Sequence, residues 1–287
     1  MKVIVIGGGA VGRLFQHAWP DAEVFDWGPA PEGPAKTSRQ YGAMYLWTPI
    51  PGISCREFDV VTHIDGAPAT LETVLAYKAK IGKDLETRSG WARQFQTETK
   101  GYDFIDPLPI RAHWGVRAVE IIPERHKVVW SNGVVSDYDV LVSTIPLFSL
   151  IAAMPYSPVG KELKELTRDR LRFAPIYVKV TPRPPDAKYP LEVMYVNYLS
   201  DPDIEPYRYC DRNGERHYEG LAPMGTIPSK KFSVGKLFEL DPEIDRHVQA
   251  QLNAHQIYNF GRFATWQSDE LLHETWMNIN QFTEALK

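Results

Sequence analysis

The chain has 287 residues, 44% hydrophobic and 12% aromatic, enough for a core in one large or two modest domains. A net charge of −4 gives no general attraction to nucleic acid or an anionic membrane, so nucleic acid enters only as a possible substrate, and no stretch reaches the ~18 apolar residues of a bilayer span. Cys55 and Cys210 stand far apart outside any C-x-x-C spacing, which suggests neither a disulfide framework nor a zinc site and leads to the expectation of a cytoplasmic protein without metal or membrane.

Residues 1–12 run an apolar strand directly into G-x-G-x-x-G. Gly7 permits the tight turn, Gly9 lets backbone approach a pyrophosphate, and Gly12 lets the next helix pack on the strand, so that amides at Ala10 and Val11 face the phosphates. A short helix and a second strand, 22–26, follow, and the strand ends in Asp26, 19 residues beyond Gly7 and suited to accept from a ribose hydroxyl. This pattern predicts a dinucleotide site.

Residues 28–36 read as loop, and 37–53 as an apolar, aromatic loop of the kind that lines sites. Helical spacing predicts a helix over 70–81 and a more polar one over 85–99, together a small helical insertion. From 116 the pattern turns to short extended runs at 116–122, 127–130, 134–135 and 138–144, with Asn132-Gly133 marking a hairpin. A helix is expected at 161–171, strands at 175–181 and 191–199 around a proline-rich connection, and helices at 241–255 and 269–280. No zinc spacing, G-x-S-x-G elbow or nucleophile set occurs.

The segment 116–146 resembles the β-ribbon and returning strand of flavoproteins of the glutathione-reductase type. That resemblance implies Ser143 and Thr144 near the dinucleotide and Val119 where backbone meets adenine. A plain meander fits the hydrophobic pattern equally, and its order and spacing after Gly12 favour FAD. The segment 257–273, with Gly261-Arg262, Trp266 and a following helix, resembles the C-terminal flavin motif of the amine oxidase, protoporphyrinogen oxidase and UDP-galactopyranose mutase group. There Arg262 would contact phosphate or substrate, Trp266 would pack at the flavin ring and Leu271 near its edge, with the helix dipole favouring the anionic reduced ring. Arg39 resembles an arginine that follows the first unit in this group. The loop Tyr41-Gly-Ala-Met-Tyr-Leu-Trp-Thr48 follows the outline of a mutase loop, with Met44 and Trp47 replacing its two histidines. Tyr207 and Arg208 resemble a Tyr-Arg pair near the mutase active site and are candidates for substrate contact or members of an ordinary loop. Lys179 could hold a water near flavin N5, as a lysine does in some relatives, or face solvent.

The resemblance implies an α/β architecture: a doubly wound Rossmann-type FAD-binding domain made from 1–62, 106–172 and 236–287, with a small discontinuous substrate region from 63–105 and 173–235. It implies an FAD-dependent, amine-oxidase-like oxidoreductase that oxidises a C–N bond by moving hydride from the α-carbon of the amine to flavin N5. The amine would be a small molecule or polymer-tethered, such as an amino-acid adduct on hypermodified thymine in phage DNA. A redox-neutral UDP-galactopyranose mutase-like flavoenzyme and a non-catalytic dinucleotide-binding or sensing protein are the alternatives.

Overall fold

The computed structural model describes residues 1–30, 45–82, 95–104, 108–225, 229–268 and 270–287. Chain order is β1 (Val3–Ile6), α1 (Ala10–Ala18), β2 (Glu23–Asp26), β3 (Cys55–Ile64), α2 (Leu71–Ile81), β4 (Glu98–Phe104), β5 (Ala112–Trp114), β6 (Ala118–Ile122), β7 (Lys127–Trp130), β8 (Val135–Asp137) and β9 (Val140–Ser143). It continues with α3 (Leu147–Ala152), α4 (Pro158–Thr167), β10 (Phe173–Pro182), β11 (Met194–Tyr198), β12 (Arg208–Arg212), β13 (Glu215–Gly220), β14 (Lys230–Leu237), α5 (Pro242–Ala254), β15 (Ile257–Asn259) and α6 (Leu272–Leu286). The fold is mixed α/β, in two compact units: 1–36, 107–172 and 239–287 form the first, and 37–106 with 173–238 the second.

The first unit is built on a five-stranded, wholly parallel sheet in the order β15-β9-β1-β2-β5. β1 and β9 are the continuous apolar runs Val-Ile-Val-Ile and Val-Leu-Val-Ser, buried at every position, as strands covered on both faces require. Helix α1 packs on α6, where Phe15, Phe260 and Phe282 form a ring cluster. A three-stranded ribbon, β6-β7-β8, contains the expected hairpin across Asn132-Gly133. Below β2 the rings of His113, Phe25 and Trp130 stack at centroid separations of 4.5 and 3.8 Å.

The second unit is a seven-stranded mixed sheet, β14-β10-β13-β12-β11-β3-β4. One face is closed by α2, and its apolar part packs Val60, Ile64, Met194, Val196 and Tyr198 with Tyr77 and Ile81. Two expectations change here. β3 is an inner strand of this sheet, hydrogen-bonded to β4 and β11, so the first segment of the first domain ends well before residue 62. The region 63–105 holds one helix and a strand among its described residues rather than a helical insertion, and Glu98 and Thr99 open β4 instead of ending a helix; 83–94 lie outside the described residues. β12, β13 and β14 occupy sequence to which the pattern assigns no individual element.

The β12–β13 hairpin turns on Asn213 and Gly214, both left-handed at φ 50° and 77°. A Cβ added to Gly214 meets nothing within 4 Å, so its replacement carries only a conformational cost. Gly214→Ala is expected to lower stability by about 1 kcal/mol, read as a shift of the urea midpoint at unchanged slope.

Candidate functional site

At the carboxyl end of β1 the chain turns through Gly7, at φ 110°, and its amide donates to the Phe25 carbonyl at 2.8 Å. Helix α1 begins at once, and its first turn presses on this corner: a Cβ on Gly12 would lie 1.9 Å from the Gly7 carbonyl oxygen. Thr144, just past β9, donates its hydroxyl to the carbonyls of Ile6 and Gly7 at 3.1 Å, and a Cβ on Gly7 would sit 2.3 Å from that hydroxyl. Strand β1, the turn and the end of β9 are therefore interlocked by contacts that only glycine permits.

The helix N-terminus opens outward. Its N-cap is Gly9 and no side chain caps it, so its first amides have none of the usual side-chain acceptors. Gly9 and Ala10 are exposed, and a Cβ on Gly9 meets nothing within 4 Å. Val11 is half-buried beneath a second turn: Gly261, at φ 88°, passes so close that a Cβ there would lie 2.8 Å from Val11 Cγ2. The first and last motifs of the sequence thus meet at one helix end. The sheet order places this corner at a topological switch point, since β2 lies on one side of β1 and β9 on the other.

Asp26 closes β2 as expected, and its two carboxylate oxygens accept from the amides of Gly8 at 2.6 Å and Gly28 at 2.7 Å. Each oxygen keeps a second lone pair, so the acid can shape the turn and still accept a hydroxyl. Burial lowers the Arg13 pKa against the attraction of Asp26, and its guanidinium donates to the Leu108 carbonyl at 2.6 Å. Trp114, which sequence reading overlooked, packs its ring on Gly8; a Cβ there would meet it at 3.1 Å. Val119 lies at an irregularity in the β6–β7 ladder and is 46% exposed. Ser143 is fully buried, and its hydroxyl has no hydrogen-bond partner among the described residues.

The C-terminal segment is conformationally strained. Trp266 holds φ 58° while 2% exposed, a backbone state that bulky residues seldom adopt outside sites that over-determine it. Its ring meets Phe148 edge-on at 6.2 Å. Glu270 ties the segment together by accepting from the hydroxyls of Thr265 at 2.6 Å and Thr275 at 2.7 Å; burial raises its pKa and those hydrogen bonds oppose the rise. Arg262 is half-buried with its guanidinium over the Phe263 ring at 5.1 Å. The last helix begins at Leu272, not 269: Leu271 is the N-cap, its amide donates to Glu274, and Glu274 is the acid of the first turn. Glu270 therefore precedes the helix, while Asp269 lies outside the described residues.

In the second unit Tyr207 and Arg208, the candidates for substrate contact or members of an ordinary loop, lie in the core. Tyr207 is 2% exposed and donates to Glu219 at 2.7 Å; Arg208 donates to the same carboxylate at 2.7 Å and to the Tyr198 hydroxyl at 3.3 Å. Burial opposes the Arg208 charge, but Glu219, Tyr198 and Tyr207 outweigh it and hold its pKa well above the usual value. Burial pushes the Tyr207 phenol up. Their polar groups join β12 to β13. Lys179 is half-buried on β10, opposite Tyr218. Arg39 and Met44 lie outside the described residues. Among the described residues no group of three or more His, Cys, Asp or Glu could hold a metal ion, and no helix is long and apolar enough to cross a membrane.

No protein-family model matches the chain, and no curated protein matches it. Solved structures do. Reduced UDP-galactopyranose mutase aligns with a TM-score of 0.70 at 12% identity, over 99% of this chain and 93% of its own. A CLA-producing fatty acid isomerase from P. acnes gives 0.54 at 11%, over 99% and 98%, and an oxidoreductase from Methanosarcina mazei 0.52 at 10%, over 99% and 100%. At these identities the likeness is one of fold. The mutase is one of the families that the sequence motifs resemble.

The glycines separate two roles. Gly12→Ala, which forces a collision with Gly7, is expected to reduce stability and dinucleotide binding together. Gly9→Ala is expected to leave the melting temperature within about 1 °C, because the added methyl meets nothing, yet to weaken binding at least about tenfold by blocking the approach to the uncapped amides. Differential scanning fluorimetry and a binding titration on both variants check this.

Proposed function

We propose that the chain is an FAD-dependent oxidoreductase that oxidises a C–N bond, in the manner of the amine oxidases. The observation that carries the reading is the convergence, at one switch point, of the Gly7 turn, the uncapped start of α1, Thr144 and the Gly261 turn. These residues fit a dinucleotide: the amides at Gly9, Ala10 and Val11 suit a pyrophosphate, and Gly12 lets them stand there. Asp26 suits a ribose hydroxyl and Val119, at its ladder irregularity, the adenine end. Gly261, Arg262, Trp266 and Leu271 suit the flavin end, and Arg39 is proposed for the same cofactor on the sequence resemblance alone.

Bound there, FAD supplies the hydride acceptor, so the protein needs no nucleophile or acid-base triad of its own. The chain's task is to orient and to hold charge in place. The strained Trp266 backbone, tied by Glu270 through Thr265 and Thr275, keeps the segment after Gly261 in one conformation. The amine to be oxidised is a small molecule or one tethered to a larger carrier, with hypermodified DNA one such carrier. Met44 remains a proposed neighbour of the reacting end, from the loop resemblance.

A redox-neutral reaction on a nucleotide sugar is the second reading, favoured by the whole-chain fold likeness to UDP-galactopyranose mutase. Met44 and Trp47, where the resembled loop carries two histidines, speak against it.

The holoprotein mixed anaerobically with a panel of primary and secondary amines is expected to lose its visible flavin band with at least one of them. A protein that no amine bleaches, but that converts UDP-galactopyranose after reduction with dithionite, would decide for the second reading.

A further inference from the structure

The seven-stranded sheet has two chemically different faces, and its register defines both. Residues directly opposite one another across neighbouring strands share a face. One row runs Val178, Glu219, Arg208, Tyr198 and Ile64 through β10, β13, β12, β11 and β3, and belongs to the core closed by α2. On the opposite face the same five strands carry Lys179, Tyr218, Tyr209, Asn197 and His63 in a single row. Two residues along lies a second row of this face, in which Arg216, Asp211 and Tyr195 are successive partners.

This face has a closed end and an open end. His63, Tyr195 and Asn197 are buried, with Tyr189 packed on Tyr195 at 4.9 Å, whereas Tyr209, Tyr218 and Lys179 remain partly accessible. The closed end is saturated internally. The Tyr195 hydroxyl meets His63 Nδ1 at 3.3 Å, and Asn197 Oδ1 accepts from the Gly66 amide at 2.8 Å. Asp211 is neutralised by a bidentate pair with Arg216 at 2.6 and 2.8 Å. At the open end the rings of Tyr209 and Tyr218 stand 5.9 Å apart. Lys179 beside them has no hydrogen-bond or ion-pair partner among the described residues. A positive charge without a counter-ion among the described residues, next to two phenol rings, is a receptor suited to an anion attached to a flat or apolar group.

We propose that Lys179, Tyr218 and Tyr209 form an anion-binding shelf for the substrate, with the ammonium pairing a carboxylate and the two rings holding the group next to it. This deepens the amine-oxidation reading and rests on it: the substrate class becomes an N-substituted amino acid rather than a simple amine. Lys179 is then a specificity-determining residue, and Tyr218 and Tyr209 form the wall of its site.

Two probes that differ in the anion alone test this: N-benzylglycine and N-benzylethylamine, titrated calorimetrically into the oxidised holoprotein. N-benzylglycine is expected to bind at least about tenfold more tightly than N-benzylethylamine. Lys179→Met should abolish that preference, and Lys179→Arg should keep most of it. Circular dichroism on each variant confirms the fold, and Lys179→Gln serves as the second neutral variant should Lys179→Met not fold. Equal binding of the two probes, a preference that survives in the neutral variant, or no binding of either probe would overturn the shelf. The underlying reading fails separately, if bound N-benzylglycine never bleaches the flavin under anaerobic conditions.

Discussion

The missing Cβ at Gly12 is the constraint on which the first unit depends. With the Gly7 carbonyl 1.9 Å from the place where that carbon would stand, any side chain would lift α1 off β1. The close approach fixes the direction of the helix, and the direction aims its uncapped amides at the space beyond Gly9. Two further contacts copy the same constraint into distant sequence: the Thr144 hydroxyl fills the space that a side chain on Gly7 would need, and Gly261 lies against Val11. A strand, a helix and two turns separated by more than a hundred residues are thereby committed to one corner.

Strain and charge are concentrated around that corner. Gly7 and Gly261 take left-handed conformations at little cost, but Trp266 pays roughly 1–3 kcal/mol for its positive φ, offset by burial of its ring and by the Glu270 hydrogen bonds. Glu270 in turn is a buried acid whose charge is costly unless Thr265 and Thr275 both donate. The second unit solves a different problem. Its sheet carries charged residues inside, matched as Arg208 with Glu219, Arg216 with Asp211 and Arg212 with Asp103, so that β12 and β13 are held by ion pairs as well as by their ladder. Breaking such a pair from one side leaves an uncompensated buried charge, a larger loss than the pair's own net contribution.

This difference explains what could be read from the sequence. β1, β2 and β9 are uninterrupted apolar runs beside glycines at meaningful spacing, so strand, turn and acid were legible together. Arg-Tyr-Cys-Asp-Arg in β12 and Glu-Arg-His-Tyr-Glu-Gly in β13 show no apolar alternation, because their inward side chains are charged and satisfied by one another. The signal that was present, Asn213-Gly214 between two such runs, is the same one that marked the hairpin at Asn132-Gly133. Tyr207 and Arg208 stand out in the sequence by their resemblance to a mutase pair, yet their place in the core follows from Glu219, which only the register brings opposite. α6 starts later than the pattern predicts for a local reason: Glu270 resembles a first-turn acid, but the helix is capped by the exchange between Leu271 and Glu274.

The central claim is that this corner holds FAD rather than another dinucleotide, and ligand-induced stabilisation of the cofactor-stripped protein tests it most directly. At a concentration about 100 times its dissociation constant, FAD should raise the melting temperature by roughly 5 °C or more, while NAD⁺ and NADP⁺ leave it unchanged. Stabilisation by NAD⁺ or NADP⁺ and not by FAD, or by none of the three, would contradict the account.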